Sequence, residues 1–210
     1  MVSEESETTY NKVSNLEGGN HMKEMVLSSE EILAITKELG AEISEDLKSE
    51  AKLPLFVCVL KGAMKFMVDL LKHVTIPNLE DYVHLCSYDG TKSTGKVELI
   101  QDLSYDIDDR TVVIVEDVVD SGITMDFLIR HLKQKGHPKR ILVCALFDKR
   151  PPRQVEVQID YVGKVLHENK FLLGYGLDYR GLKRNVPYVY VPSDEEIASM
   201  DALLQEKGEI

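Results

Sequence analysis

The stretch VVIVEDVVDSGITM, Val112 to Met125, sets two adjacent acids, Glu116 and Asp117, at the end of an apolar run and follows them closely with Asp120, Ser121, Gly122, Ile123 and Thr124. Small hydroxyl side chains and unpaired backbone N–H groups where a loop opens a helix favour a phosphate, because the positive end of the helix dipole lies there. Gly122 lets a ligand approach the backbone closely. Carboxylates accept hydrogen bonds and donate none, so Glu116 and Asp117 could not help hold a phosphate but suit a sugar diol. Taken one at a time, these residues read equally well as solvated strand-end acids and, for Asp120, as a helix N-cap. Together they describe a site for a phosphorylated ribose.

A second glycine-bearing stretch, DGTKSTGK, has Gly90 and Gly95-Lys96 at Walker A spacing. It lacks the rest of that motif: Val97 replaces the required Ser or Thr, and VELIQDL continues as a strand pattern instead of opening a helix. Its glycines and small polar residues suit a mobile flap. Cys58, Cys86 and Cys144 lie in apolar segments without CxxC spacing and are expected to be buried reduced thiols.

The elements that must position these groups follow from periodicity. Ile32, Ile35, Leu39, Ile43 and Leu47 repeat at helical spacing behind a capping box of Ser28 and Glu31. LPLFVCVL, RTVVIVED and RILVCALFDK read as strands buried on both faces, and the first two are followed by loops and by the helical patterns AMKFMVDLLKH and ITMDFLIRHLKQKG. YVHLCSY and KVELIQDL are two further strands, and the C-terminal part offers FLLGYGLD and PYVYVP as strand signals before a last helix capped by Ser193 and Glu196. Doubly buried strands alternating with helices predict a doubly wound α/β sheet, with ligands outside the carboxyl ends of its strands.

Residues 1 to about 25 are polar and aperiodic and are expected to be a disordered leader, leaving 26–210 as a single domain. No apolar run approaches the ~20 residues needed to cross a bilayer, and the acidic start MVSEESETTY has no signal-peptide pattern, so a cytoplasmic protein is expected. A formal charge of −11 argues against a nucleic-acid surface, so an anionic ligand needs a specific pocket.

The Val112–Met125 segment resembles the motif by which type I phosphoribosyltransferases bind phosphoribosyl pyrophosphate (PRPP). VLKGAMKF, SYDGTKSTG, DKRPPRQV and FLLGYGLDYRGLKRNVPYV, in that order, are similar to segments of the hypoxanthine-guanine branch, over about Leu27 to Pro192. Ile123 departs from the pattern, standing where many relatives carry a longer or basic side chain. The resemblance implies a twisted, mainly parallel sheet flanked by helices, with a small hood over the base site and the flap. It implies transfer of the 5-phosphoribosyl group to N9 of hypoxanthine or guanine with magnesium (Mg2+), in a homodimer or homotetramer. Xanthine-preferring salvage and a PRPP-sensing regulator of the pyrimidine-attenuator type are the competing readings; the regulator would need a basic RNA face.

By the same resemblance, Glu116 and Asp117 hold the ribose hydroxyls directly or through magnesium, and Asp120 to Thr124 hold the 5-phosphate. Lys61, Gly62 and Arg184 bind pyrophosphate, with a cis peptide before the lysine when it is bound. Ser87 and Tyr88 of the flap close over PRPP, and Asp178 is a second metal-side carboxylate, partly through water. Asp120 is the candidate acid/base at purine N7. Lys149, just beyond a buried strand, donates without accepting and so suits purine O6. Phe171 is a stacking platform, and the backbone around Leu172 and Asp178 completes the base edge.

Overall fold

The computed structural model describes residues 24–87 and 97–210. Six strands form one sheet: β2 (Leu55–Leu60), β3 (Leu79–Ser87), β4 (Val97–Gln101), β5 (Thr111–Val119), β6 (Arg140–Lys149) and β7 (Tyr161–Leu166). Their spatial order is β4-β3-β2-β5-β6-β7, every neighbouring pair parallel except β3 with β4. Three helices cover this sheet: α1 (Ser29–Leu47), α2 (Met64–Leu71) and α3 (Ile123–Lys135). β1 (Glu24–Leu27) pairs antiparallel with β8 (Val189–Val191) in a small second sheet beside the C-terminal α4 (Asp194–Lys207).

The alternation of β5 shows how the core is made. Val113 and Val115 share one apolar cluster with Ile32, Ile43, Phe66 and Leu70 of α1 and α2, whereas Val112 and Ile114 join Met125, Leu128 and Leu132 of α3 on the opposite face. A strand apolar at every position is therefore buried on both sides, as a parallel sheet requires. α1 begins with the expected capping box, Ser28 N–H donating to Glu31 Oε2 at 2.7 Å and Glu31 N–H to Ser28 Oγ at 3.2 Å. α3 ends at Lys135 with Gly136 as its C-cap.

Several expectations change. β1 starts at Glu24, inside the margin of the expected leader, because its backbone pairs with β8. FLLGYGLD is not a strand: Gly174, Tyr175 and Gly176 have φ of 95°, 50° and 102°, which no pleated strand accommodates, and only isolated bridges occur there. β7, with Gly163 and Lys164 inside it, gave no clear strand pattern in the sequence. Its pairing with β6 creates it. Cys58 and Cys144 are buried free thiols, but Cys86 is half-buried. Tyr88, Gly90 and Gly95-Lys96 of the expected flap lie outside the described residues, as do residues 1–23.

Strand order reverses between β2 and β5, since β2 leads outward to β3 while β5 leads the other way to β6. The carboxyl ends of those two strands thus border a crevice, the place where open α/β sheets bind ligands.

Candidate active site

β5 does not stop at its acids. It continues through Val119, pairing with β6 as far as Asp148, so Glu116 and Asp117 are residues within the strand. Glu116 is only 7% exposed and Asp117 is half-buried, which removes the reading of both as solvated strand-end groups. Burial, and after it the neighbouring Asp117 carboxylate, holds the Glu116 carboxyl well above the ordinary range. Burial also raises Asp117, against hydrogen bonding and the charge of Arg184. Two adjacent carboxyls, one buried and one half-buried, fit a cation or a hydroxyl-rich ligand.

The loop is only Asp120 to Gly122, after which α3 begins at Ile123. Its N-cap is Gly122 at φ 82°, with no side-chain cap, so Asp120 is not the cap and the helix N-terminus keeps its donors for a ligand. Gly122 cannot carry a side chain, since a Cβ there would lie 2.1 Å from Val155 O. Ser121 Oγ accepts only a long bond, 3.4 Å, from Ile123 N–H. Glu116, Asp120, Ser121, Gly122 and Thr124 line a cavity of about 190 Å³. A larger apolar groove of about 460 Å³, bordered by Leu33 and Met64, contains none of these residues.

Lys61 and Gly62 follow β2 directly, and the Leu60–Lys61 peptide is cis. Gly62 is pressed between two neighbours: a Cβ on it would sit 1.8 Å from Asp117 Oδ2, and one on Gly176 would sit 2.1 Å from Gly62 O. The backbone contact brings the Lys61-Gly62 turn, the β5 acids and the Gly174–Arg184 segment together. Tyr175, buried, fastens that contact by donating its hydroxyl to Asp69 Oδ2 of α2 at 2.7 Å. Arg184 Nη2 lies 2.7 Å from Asp178 Oδ1 and its Nη1 donates to Gly176 O at 2.6 Å. Asp178 Oδ2 also accepts from Gly181 N–H. Among the described residues no three His, Cys, Asp or Glu side chains cluster to hold a metal, so Asp178 stands as a carboxylate separate from the Glu116–Asp117 pair.

Lys149 is the last residue of β6, not one beyond it, and is 8% exposed. Its Nζ lies 3.7 Å from Asp120 Oδ2, so two residues 29 positions apart in the chain share one end of the sheet. Phe171 is 50% exposed rather than part of the core, its ring perpendicular to that of Tyr179 with 6.0 Å between centroids, while Leu172 is buried. Half of the Phe171 surface is therefore open to a stacking partner. Asp148 and Arg153, to which no motif in the sequence assigns a role, form a buried ion pair at 2.6 Å beneath the loop. Their signal lay in DKRPPRQV, where charges continue from a doubly buried strand.

Comparison with known proteins places this arrangement. Residues 22–180 match the phosphoribosyl transferase domain model. The chain is 39% identical over 177 residues to a hypoxanthine-guanine phosphoribosyltransferase of Streptococcus agalactiae, covering 84% of this chain and 96% of that one. It is equally identical to the bifunctional protein TilS/HprT of Listeria monocytogenes, but spans only 27% of that protein's length. Its fold matches a hypoxanthine phosphoribosyltransferase from Staphylococcus aureus with a TM-score of 0.77 at 37% identity, covering 84% of this chain and 94% of that one. A Trypanosoma cruzi hypoxanthine phosphoribosyl transferase matches with a TM-score of 0.79 at 28% identity, over 89% and 99% of the two chains. The mainly parallel sheet, the loop after β5 and the domain match agree: the chain has the type I phosphoribosyltransferase fold and belongs to the phosphoribosyl transferase family.

Proposed function

We propose that this chain transfers the 5-phosphoribosyl group of PRPP to N9 of hypoxanthine or guanine, forming IMP or GMP and releasing pyrophosphate. The observation that carries the reading is the pairing of Lys149 with Asp120 at 3.7 Å, directly beside an uncapped helix N-terminus. A 6-oxopurine presents O6 and N7 as neighbours on one edge. A donor-only ammonium and a carboxylate at this separation match that edge.

The segment Asp120–Thr124, the loop with the first two residues of α3, receives the 5-phosphate on its backbone N–H groups, and Thr124 adds a hydroxyl. Glu116 and Asp117 accept from the ribose diol. Lys61, the Gly62 backbone and Arg184 bind pyrophosphate, and Arg184 is presented by its bonds to Asp178 and Gly176. Phe171 stacks on the base, and the backbone at Leu172 and Asp178 meets its remaining edge. The N9–C1 bond forms as the C1–oxygen bond breaks, the electron pair leaves with pyrophosphate, and Asp120 takes the imidazole proton at N7. The transition state has oxocarbenium character, so the buried carboxylates beside the ribose favour it electrostatically.

Glu116 and Asp117, with Asp178 through water, are the residues that would hold magnesium, whose charge offsets that of the pyrophosphate. The raised carboxyls of the pair support this. Calorimetry of PRPP with and without magnesium tests it apart from turnover. The flap assigned to Ser87 and Tyr88 stays part of the proposal. No helix among the described residues is long and apolar enough to cross a membrane. A cytoplasmic location and a homodimer or homotetramer belong to the proposed reading; light scattering checks the assembly.

A PRPP-dependent spectrophotometric assay over hypoxanthine, guanine, xanthine and adenine tests the function. Transfer to the first two is expected, and its absence with every base would refute the proposal. Thr124→Val is expected to weaken ribose 5-phosphate about tenfold, the effect of losing one hydrogen bond to a charged group. Equal calorimetric affinity in both proteins would take the hydroxyl out of the phosphate site.

A further inference from the structure

We infer that Arg153 is a positioning residue that holds the loop between β5 and α3 in its anion-binding form. The inference rests on the phosphoribosyl reading above and concerns how its 5-phosphate site is shaped. Arg153 Nη2 donates to Val119 O at 3.1 Å, and its Nε donates to Asp120 O at 2.9 Å. The N–H groups of the next two residues, Gln154 and Val155, donate to Ser121 O at 2.9 and 3.0 Å. Three successive carbonyls are thereby drawn to one short segment.

In a trans peptide the carbonyl of one residue and the N–H of the next point in opposite directions. The only cis bond among the described residues is Leu60–Lys61. Fixing these three carbonyls therefore turns the N–H groups of Asp120, Ser121 and Gly122 away from the 153–155 segment, as successive donors of an anion nest. The same loop residues line the 190 Å³ cavity. Backbone contact between Gly122 and Val155 O completes the fit.

Arg153 does not act as a free charge. Its side chain is 6% exposed and pairs at 2.6 Å with Asp148, itself 1% exposed and shared with Arg150, so its guanidinium is committed to protein partners before any ligand arrives. What it contributes is a planar fork reaching Val119 O, Asp120 O and Asp148 Oδ1 at once. Lysine has a single nitrogen on a flexible stem and cannot reproduce that geometry. Asp148 precedes Lys149, so the same pair also ties the base-site end of β6 to the phosphate loop.

The test compares two anions in the same protein. Calorimetry with ribose 5-phosphate probes the loop, and calorimetry with pyrophosphate probes the Lys61 and Arg184 side. In Arg153→Met, ribose 5-phosphate affinity is expected to fall roughly tenfold or more, as misplaced positioning groups do, while pyrophosphate affinity holds. Steady-state rates should show KM for PRPP rising more than kcat falls. Asp148 keeps Arg150 at 2.6 Å as a partner in this variant. Arg153→Lys, which retains the charge for Asp148, is expected to show the same split and carries the test if the methionine variant does not fold. Unchanged ribose 5-phosphate binding in Arg153→Lys, or an equal loss of both ligands, would overturn the inference. A wild-type protein that binds ribose 5-phosphate but transfers no phosphoribosyl group from PRPP to any purine would sink the proposed function alone; one that binds none would sink both.

Discussion

Asp120→Asn is expected to slow turnover ~100 to 10,000-fold, the range over which general acid-base groups act, while PRPP binding stays nearly intact. The exposed Asp120 side chain makes this separation possible. Its backbone oxygen is held by Arg153 Nε at 2.9 Å, independently of the carboxylate. Asparagine keeps the shape and the loop but loses the proton acceptor. The carboxylate caps no helix, since Gly122 occupies that position, so its removal should cost little stability. Turnover by the base panel assay and PRPP affinity by calorimetry give the two numbers. Undiminished turnover would remove Asp120 from the chemistry; a parallel collapse of PRPP affinity would make it a binding residue instead.

The wild-type protein is expected to prefer hypoxanthine and guanine over adenine by at least about a hundredfold, and Lys149→Ala should lose most of the oxopurine activity. The ammonium carries only donors, so O6 accepts a charge-assisted bond, whereas the 6-amino group of adenine sets donor against donor. Loss of a bond to a charged group costs roughly 1.5 to 3 kcal/mol, and leaving adenine's mismatched amino group buried adds to it. The 8% exposure of Lys149 matters here, because little water is available to satisfy an amino group in its place. Adenine should not become a good substrate for the alanine variant, which relieves the clash without supplying an acceptor. PRPP affinity should hardly change, the 5-phosphate being held on the neighbouring loop. Comparison of kcat/KM for the three bases in both proteins decides it: adenine used as well as hypoxanthine by the wild type, or full oxopurine activity in the variant, would overturn the base-site assignment.

Where a structural decision is local, the sequence alone determined it. A continuous apolar run such as RTVVIVED makes a doubly buried strand wherever helices cover both faces, and Ser28 with Glu31 closes a helix end within four residues. The strand, loop and helix from Val112 to Met125, and Lys149 at the ligand end of another strand, were legible on those terms. The tertiary structure decided what depends on partners far along the chain. Pairing with β6 extends β5 through Val119, which leaves Glu116 buried and Asp117 half-buried and shortens the loop to Asp120–Gly122. The FLLGYGLD segment, apolar enough to read as a strand, instead turns through three positive φ angles so that Gly176 can rest on Gly62. Arg153 looked like one more charge after a strand until its guanidinium met the carbonyls of Val119 and Asp120, more than 30 residues earlier. Burial and hydrogen-bond direction arise only when distant segments meet, and they turn a legible motif into a site with a shape.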